Sequence, residues 1–373
     1  MSVFVESDNI ISSLGFSCAE NYKNVLSGIT GIKRINDEKY SQSPIQTSII
    51  NNEIIDREFS NISENQSYTK FEKICILSIS KALQNTDINL KSKKTILILS
   101  TTKGNIDLLN EKQGFSYDRV YLWKTAEIIA DFFNAANKPV TVSCACISGV
   151  SAILLGKRLI DSNKYDNAVI VGADIISKFI VSGFQSFMSL SSEPCKPFDA
   201  GRDGLNLGEA AATIVITNRN KESNIEIVNG STNNDANHIS GPSKEGTGLF
   251  NAINNTLNNN KDIGFISAHG TATPYNDNME AVAISKAELN DVYVNGLKGF
   301  FGHTLGAAGI LETIISICAM KNNIVLKTMG YEKFGVSEKI NVADKNTEKN
   351  INSFLKLTSG FGGCNGTLLI KKI

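Results

Sequence analysis

The chain has 373 residues, of which 42% are hydrophobic and 20% are charged, and its 37 basic and 37 acidic residues leave no formal net charge. The ample apolar content and balanced charge exclude a largely disordered chain. The neutral charge balance gives no sign of a nucleic-acid-binding surface. The length is more than twice that of a usual domain, which favours either two domains or one large duplicated domain.

Helical and strand patterns alternate along the chain. Helical periodicity predicts helices over 64–84, 122–134, 148–161, 279–289 and 306–321. Short runs rich in Ile and Val predict buried strands over 95–100, 168–171, 212–217, 225–228, 263–267, 292–294 and 354–358. This alternation predicts an α/β fold in which helices cover the sheets.

The polar segment 218–224 falls near the middle of the chain, and a similar order of strands, helix and closing strands lies on each side of it. We therefore predict two related halves, residues 1–220 and 221–373, although the pattern equally allows two unrelated domains.

No basic region typical of a signal peptide begins the chain. The apolar stretch 143–156 is too short to span a bilayer, and the stretch 306–320 is interrupted by Glu312. These features predict a soluble cytoplasmic protein.

The seven cysteines are odd in number and scattered along the sequence. They lie at positions 18, 75, 144, 146, 195, 318 and 364. Reduced thiols in the cytoplasm fit this pattern better than a disulfide framework. Cys144 and Cys146 have no second close pair of Cys or His that would complete a zinc site, so no metal is predicted.

Two of the three histidines follow apolar strands in glycine-rich segments that carry little charge. His269 lies in IGFISAHGTATP, and His303 lies in LKGFFGHTLGAAG just before a predicted helix. A lone histidine at a strand end is more often structural. Two of three in the same setting indicate an active site, because α/β folds place their sites at the ends of buried strands.

The segment VTVSCACISGVSAILLG predicts a strand, a tight turn and an apolar helix, with Cys146 in the first turn of that helix. The unpaired N–H groups and the helix dipole there favour a thiolate. Small neighbours leave room for a substrate. A buried structural cysteine is the alternative. Cys144 precedes the turn and is expected to point elsewhere.

Two further loops are candidates for binding. The glycine cluster TSGFGGCN (358–365) could bring backbone N–H groups close to a ligand, or could be a simple turn between strands. In KPFDAGRDGLNLGE (196–209), Asp199, Arg202 and Asp203 could form a polar network, with a solvated surface loop as the alternative.

Five segments, in this order, resemble the β-ketoacyl-acyl carrier protein synthases of the thiolase superfamily. They are SCACISG, KPFDAGRDG with its following GE, HGTATPYND, LKGFFGHTLGAAGILE and GFGGCN, and a weaker match that includes LSGITGIKRI extends the resemblance over nearly the whole chain. The ACISG form is most similar to the elongating synthases and to the ketosynthases of polyketide or aryl-polyene pathways. Initiating synthases differ because they pair the Cys with one His and one Asn.

The resemblance implies a five-layered α-β-α-β-α thiolase fold built from two pseudo-repeated halves. It also implies a homodimer, or a heterodimer with a homologous ketosynthase or chain-length factor. Carried over by motif, Cys146 is the acyl-accepting nucleophile, and His269 and His303 are the two active-site histidines. Both histidines are expected to bind the carbonyl of a malonyl thioester.

The resemblance assigns supporting roles to residues around these three. Lys298 matches the family lysine that orders the polar network, and Glu312 matches a structural glutamate of that network. Phe361 matches the residue whose N–H helps form the oxyanion hole and whose ring gates the acyl pocket. The pantetheine arm is expected to contact four residues: Thr271, Thr273, His238 and Ser240.

The activity implied is a decarboxylative Claisen condensation of a Cys-bound acyl group with malonyl-acyl carrier protein, in fatty acid, polyketide or aryl-polyene biosynthesis. No metal or organic cofactor is expected, because the phosphopantetheine belongs to the carrier. A non-catalytic chain-length-factor-like partner subunit is one alternative, but such subunits usually lack the nucleophilic Cys. A thiolase acting on coenzyme A thioesters is another, for which Cys364 could supply the second Cys.

Docking of the acidic acyl carrier protein requires a local basic patch on this neutral chain. The candidates are Arg57, Lys70, Lys73 and Arg202. Lys70 and Lys73 are three residues apart and are predicted to share one helical face. An ordinary solvated helix face is the alternative.

Overall fold

Strands and α-helices alternate along the chain in the computed structural model, which describes residues 2–84, 86–110, 114–219 and 224–373. The strands are β1 (Phe4–Ser12), β2 (Lys33–Ile35), β3 (Ile45–Ser48), β4 (Thr95–Ser100), β5 (Val140–Val142), β6 (Asn167–Asp174), β7 (Leu207–Gly208), β8 (Ala210–Thr217), β9 (Ile225–Asn234), β10 (Phe265–Ser267), β11 (Tyr293–Asn295), β12 (Ile324–Val325), β13 (Asn341–Val342), β14 (Thr347–Glu348), β15 (Ser353–Gly360) and β16 (Cys364–Lys372). The α-helices are α1 (Cys18–Leu26), α2 (Asn52–Ser60), α3 (Lys70–Leu83), α4 (Leu122–Phe132), α5 (Ser148–Asp161), α6 (Lys178–Ser186), α7 (Thr247–Leu257), α8 (Pro274–Lys286), α9 (Lys298–Phe301) and α10 (Ala308–Lys321).

Two sets of five strands have the same order and the same directions. In the first half the order is β5-β4-β6-β8-β1, with β4 parallel to both of its neighbours and β8 antiparallel to both of its own. In the second half β11-β10-β15-β16-β9 repeats this arrangement strand for strand. The two sets join through the pairing of Phe4 with Glu226. This repetition is the duplication that the resemblance implied. The predicted boundary between residues 220 and 221 lies outside the described residues and stays a prediction.

Helices lie between the two sets of strands and on both outer faces. The central helices α5 and α10 pack in one hydrophobic core that receives side chains from both sets of strands. Helix α3 covers the outer face of the first set, and α7 and α8 belong to the core on the outer face of the second. Helix, sheet, helix, sheet and helix therefore form five layers, as expected for an α/β protein that buries both faces of each sheet.

The two central helices approach each other through glycines at their first turns. A Cβ atom on Gly149 of α5 would lie 2.9 Å from the backbone nitrogen of Ile310, and one on Gly309 of α10 would lie 2.7 Å from the nitrogen of Val150. Neither distance leaves room for a side chain. The turns that precede α5 and α10 are therefore held close together.

The structure corrects the predicted bounds of two helices and adds elements that the patterns missed. The helix predicted over 64–84 begins only at Lys70, because Thr69 and Glu72 form a capping box that fixes its start. The helix predicted over 279–289 begins at Pro274, a residue suited to the first turn. Strand β1 was missed because polar residues interrupt its apolar pattern. Among the described residues, no helix is both long enough and apolar enough to cross a membrane.

Candidate active site

Cys146, His269 and His303 meet at one cavity of about 630 Å³. One ligand atom from each of the three side chains lies within 4.8 Å of the others. The rings of His269 and His303 are 5.1 Å apart between centroids and nearly perpendicular. Residues separated by more than 150 positions in the sequence are thus brought to one point. Among the described residues, this trio is also the group of donor atoms that could hold a metal ion.

The nucleophile turn, residues 143–147, places Cys146 just before helix α5. Helix α5 begins at Ser148, so the prediction that Cys146 lies in the first helical turn is wrong by two residues. Ala145 adopts a left-handed φ of 44°, an unfavourable conformation for a residue with a Cβ atom. The Ser148 hydroxyl accepts from the Cys144 N–H at 2.8 Å and donates to the Ala145 carbonyl at 2.6 Å. These contacts hold the turn in its strained shape.

Burial decides the protonation of Cys146. Cys146 is only 7% exposed. This burial raises the pKa of its thiol to about 11, although the charges of Lys298 and Lys103 oppose the rise. The prediction of a resting thiolate is therefore wrong, because the position before the helix does not compensate for lost hydration. The thiol must lose its proton to another group during any reaction.

His269 is fixed by a buried carboxylate that the sequence analysis missed. Glu280 on α8 accepts the backbone N–H of His269 at 2.6 Å and that of Gly270 at 2.7 Å. The Asn276 amide donates to the same carboxylate at 2.8 Å. Burial raises the pKa of Glu280 to about 7. The Glu280 side chain thus holds the backbone of the turn after β10 in place.

His303 lies between α9 and α10 and presents its ring to the cavity. Its backbone N–H donates to the Asn206 carbonyl at 2.7 Å. Both of its ring nitrogens are buried without a hydrogen-bond partner among the described residues. A buried imidazole without partners is costly, so these nitrogens are available to a ligand in the cavity.

A buried ion network lies behind the two histidines. The Lys298 ammonium donates to the His269 carbonyl at 2.5 Å, to His269 Nδ1 at 3.2 Å and to Glu312 Oε1 at 2.8 Å. The second oxygen of Glu312 lies 2.6 Å from the ammonium of Lys356 on β15. One carboxylate thus bridges the amino groups of two lysines, and burial lowers the pKa of Lys356. Lys298 and Glu312 thus lie together, as the resemblance implied.

This network and the surrounding burial keep both histidines neutral. Burial lowers the pKa of His269 well below its usual range, and the charges of Lys298, His303 and Lys356 act in the same direction. Burial also lowers the pKa of His303, again with Lys298 and Lys356 contributing. Since an ammonium can only donate, His269 Nδ1 accepts from Lys298 and the remaining proton of this ring lies on Nε2.

Phe361 lies on the GFGG loop, residues 360–363, which begins at the last residue of β15 and leads into β16. Its backbone N–H hydrogen-bonds towards Cys146, an interaction that favours negative charge on that sulfur. Its ring packs against Phe184 at 5.6 Å and Phe187 at 5.2 Å between centroids. Gly362 and Gly363 have φ angles of 83° and 76°, which explains why glycines occupy these positions. The loop therefore reaches the nucleophile through its backbone.

The four residues predicted to contact a pantetheine arm line the same cavity. They are Thr271, Thr273, His238 and Ser240. The hydroxyls of Thr271 and Thr273 are 2.9 Å apart, and Nδ1 of His238 accepts the backbone N–H of Ser240 at 3.2 Å. His238 and Ser240 are on the more exposed side of the cavity, whereas Thr271 is buried.

Lys70 and Lys73 do not form the free basic face that was predicted. The Lys70 ammonium lies 2.6 Å from buried Glu209, and the Lys73 ammonium lies 2.7 Å from Asp56. Only 19% and 11% of the two side chains are exposed. Cations already neutralised within the fold contribute little to steering a partner, so these two lysines are not suited to docking the carrier.

Arg57 and Arg202 are not among the residues that line the cavity of Cys146. Arg57 is exposed but lines a different cavity from that of Cys146. The Arg202 side chain is 6% exposed, and its guanidinium donates to the carbonyls of Asp199, at 2.9 Å, and of Gly335. Arg202 is therefore held by backbone carbonyls rather than standing as a rim charge, whereas Asp203 of the network predicted for this loop lines the cavity. Lys244, which was not predicted, is exposed at the cavity.

Sequence reasoning missed three buried groups that support the site: Glu280, Lys356 and Asp174. Asp174 accepts the backbone N–H of Gly306 at 2.7 Å, close to His303, and that of Thr102 at 2.9 Å. Glu280 follows the HGTATPYND motif by three residues, so its helix register could have indicated it. Lys356 stands in an apolar strand pattern, where a charged residue is itself the signal.

Comparison with known proteins identifies the family of the chain. Family models described as "Beta-ketoacyl synthase, N-terminal domain" and "Beta-ketoacyl synthase, C-terminal domain" match residues 2–222 and 225–332. A 3-oxoacyl-[acyl-carrier-protein] synthase 2 of Coxiella burnetii is 33% identical over 63% of this chain and 62% of its own length. The tetracenomycin polyketide synthase ketoacyl synthase alpha subunit of Streptomyces glaucescens is 31% identical over 61% of this chain and 59% of its own. The matched region therefore spans about three fifths of these two relatives.

Solved structures show the same fold over the whole chain. The ishigamide ketosynthase/chain length factor superposes with a TM-score of 0.88 at 21% identity, covering 100% of this chain and 99% of that one. The ketosynthase ApeO in complex with its chain length factor ApeC, from Xenorhabdus doucetiae, gives 0.83 at 22% identity, with 100% and 98% covered. The predicted thiolase fold is thus confirmed. From the matched family models, the chain belongs to the β-ketoacyl synthase family.

Proposed function

We propose that the protein is a β-ketoacyl-acyl carrier protein synthase, an acyltransferase that extends an acyl chain by decarboxylative condensation with malonyl-acyl carrier protein. The observation that carries this proposal is the meeting of Cys146, His269 and His303 at one cavity, with the ion network behind them. Membership of the family and the names of its relatives, in fatty acid and polyketide biosynthesis, support the reaction class.

The first step is transfer of an acyl group to Cys146. Because the resting thiol is protonated, a base must take its proton as sulfur attacks the thioester carbonyl. We assign this role to His303, which is neutral and whose two ring nitrogens have no hydrogen-bond partner in the part of the chain that the structure describes. The backbone N–H groups of Phe361 and Cys146 stabilise the oxyanion. The carrier thiolate leaves and receives the proton from His303.

The second step forms the carbon–carbon bond. A malonyl thioester binds with its carbonyl oxygen near Nε2–H of His269, whose tautomer Lys298 fixes through Nδ1. Loss of carbon dioxide leaves the electron pair of the broken bond in an enolate, which this donor stabilises. The enolate carbon attacks the acyl carbonyl on Cys146, and the carbon–sulfur bond breaks. The cysteine departs as a thiolate and takes a proton from water. No step requires a metal or organic cofactor besides the pantetheine of the carrier.

The pantetheine arm is proposed to run past Thr271 and Thr273 towards His238 and Ser240, since all four line the cavity. The docking charge for the acidic carrier is proposed to be Lys244, which is exposed at the same cavity. Rim charges of this kind set association rate more than turnover.

We also propose that the chain works as a homodimer or as a heterodimer with a homologous ketosynthase or chain length factor, in the cytoplasm. Tyr117, Tyr121 and Trp123 are 65%, 50% and 56% exposed, and the last two rings stack. Clustered exposed aromatic rings are typical of interaction surfaces. Two of the similar solved structures are named as ketosynthases with a chain length factor. Light scattering of the purified chain, alone and with candidate homologues, tests this assembly.

A non-catalytic partner subunit is the second candidate, and retention of Cys146 speaks against it. Intact mass spectrometry after incubation with a panel of acyl carrier thioesters decides between the two. We expect a covalent acyl adduct that disappears, with release of an extended product, when malonyl-acyl carrier protein is added. Absence of any adduct on Cys146 across the panel would instead identify a partner subunit.

A further inference from the structure

Two further thiols flank the nucleophile, and the proposed reaction uses neither. Cys144 of the nucleophile turn is exposed, whereas Cys364, the first residue of β16, is buried beneath the GFGG loop. The Cys364 sulfur lies 3.3 Å from the Phe361 carbonyl oxygen and 3.9 Å from the Cys144 carbonyl oxygen. The loop and the turn are therefore in direct contact at this point.

Gly360 shows how closely the two segments pack. A Cβ atom at this residue would lie 3.0 Å from the Cys146 nitrogen and 3.1 Å from the Cys364 sulfur. A change in the contact between Cys144 and Cys364 would therefore also change the surroundings of Cys146, which lies one or two residues away from this contact.

The two thiols also differ in chemical character. Interaction with the neighbouring Cys364 thiol lowers the pKa of Cys144 to about 6. The same interaction, together with burial, raises the pKa of Cys364 above its usual range. An exposed thiolate beside a second thiol is the arrangement of a cysteine that is readily oxidised and then resolved to a disulfide.

We propose that Cys144 and Cys364 form a reversible disulfide that ties the GFGG loop to the nucleophile turn and slows access to Cys146. A small-molecule disulfide such as oxidised glutathione is the oxidant. The Cys144 thiolate attacks it, forms a mixed disulfide and releases one glutathione thiolate. The Cys364 thiol then loses its proton, attacks the Cys144 sulfur and releases the second glutathione, so two thiols are oxidised and one disulfide is reduced.

A second pair of close thiols in the same protein competes with Cys144 and Cys364 for the oxidant. The sulfurs of Cys18 and Cys318 are 3.1 Å apart, where α1 meets α10. Both are half-buried, and the hydrogen bond with Cys318 and burial raise the pKa of Cys18 above its usual range. Since the thiolate is the attacking species, this pair should react more slowly with the oxidant despite its short separation.

The experiment treats the reduced, full-length protein with oxidised glutathione at pH 7 and maps disulfides by peptide mass spectrometry over time. We expect the first disulfide to join Cys144 to Cys364 and to be reversed by dithiothreitol. Cys144→Ser should prevent it, and the matched control Cys318→Ser should leave it unchanged. A first disulfide that joins Cys18 to Cys318, one that includes Cys146, or none at all would overturn the proposal.

A second measurement tests the effect on the nucleophile. Alkylation of Cys146 by iodoacetamide should slow several-fold after oxidation in the wild type and should not slow in Cys144→Ser. Equal rates before and after oxidation would overturn the access part of the inference. Only the consequence for acyl transfer rests on the proposed function. If the reduced protein accepted no acyl group, the proposed function would be wrong. Disulfide mapping and alkylation would still test the inference.

Discussion

Cys146 and His303 stand at corresponding points of the two halves. Each follows the strand at the outer side of its repeated set, β5 or β11, and each precedes a central helix, α5 or α10. The first half connects strand to helix by a short strained turn, whereas the second inserts helix α9, which begins with Lys298. The same frame thus presents, on one side, a thiol whose burial outweighs the opposing charges of Lys298 and Lys103. On the other side it presents imidazoles on which burial and the buried charges act in the same direction.

This difference explains how one duplicated fold produces two chemical roles. The thiol side has no carboxylate or ammonium in hydrogen-bonding contact with Cys146, among the contacts of the described residues, and the thiol stays protonated at neutral pH. On the imidazole side, burial and the Lys298–Glu312–Lys356 network together keep His269 and His303 neutral. A neutral base beside a protonated nucleophile is the starting state that acyl transfer needs.

Removing the thiol should have the largest effect. We expect Cys146→Ala to fold normally, to form no acyl adduct and to lose condensation by on the order of a million-fold, as when other enzymes lose a covalent nucleophile. Intact mass and product formation measure the two losses, and circular dichroism checks the fold. Cys144→Ala is the matched control and should keep most activity. An adduct that survived in Cys146→Ala but vanished in Cys144→Ala would reverse the assignment.

The protonation state of the thiol side can be tested without a variant. With a pKa of about 11, Cys146 gains about ten times more thiolate per pH unit. Its alkylation by iodoacetamide should therefore rise about 1000-fold between pH 7 and pH 10. Cys144, with a pKa of about 6, should react at a nearly constant rate over that range. Peptide mapping after timed quenching follows both residues in one sample. A plateau for Cys146 at neutral pH would contradict this picture.

Loss of a donor on the imidazole side should affect one step more than the other. His269→Ala should reduce condensation by on the order of 100- to 1000-fold, because a preorganised donor to the enolate is lost. Its acylation by an acyl carrier thioester should fall much less. His303→Ala should impair acylation as well, since this ring is assigned as the base. Single-turnover acylation and malonyl decarboxylation, measured separately, distinguish the two. Equal losses of both steps in both variants would sink the division of roles.

The charge network itself can be broken at Glu312. Glu312→Gln leaves Lys298 and Lys356 buried without their counter-charge, so the free energy of unfolding should fall by about 3–5 kcal/mol. Urea unfolding followed by circular dichroism measures the change. Glu288→Gln is the matched control, because that carboxylate is paired with Lys261 at the surface and its removal should have no measurable effect. Similar losses in both variants would show that the network does not support the fold.

The smallest effect is expected at the rim of the cavity. Lys244→Glu should raise the apparent KM for a carrier-bound substrate a few-fold at low salt and leave turnover of a small pantetheine thioester unchanged. Lys91→Glu, on another exposed surface, is the control. Kinetics at low and high ionic strength check this prediction. An unaltered salt dependence in Lys244→Glu would place carrier docking elsewhere.

The sequence was sufficient for the reacting groups and insufficient for their surroundings. Cys146, His269 and His303 could be predicted because each stands in a motif between a strand and a helix. Glu280 and Lys356 each left a signal in the sequence, but only the folded chain shows that they converge on the histidines. The same limit applies to Lys70, whose position on a helical face gave no sign of buried Glu209 across the fold. The thiolate prediction failed because local position was visible in the sequence and burial was not.

The contact between Gly149 and Gly309 restricts how this protein can change over generations. What a side chain at either glycine would meet is backbone, so no neighbouring residue could shrink to make room for it. A side chain introduced at either glycine would push α5 and α10 apart. It would thereby move Cys146 away from His303 while leaving both of these residues unchanged. The distance between the reacting groups thus depends on two positions that carry no functional group. We expect both positions to tolerate fewer substitutions than many residues that line the cavity.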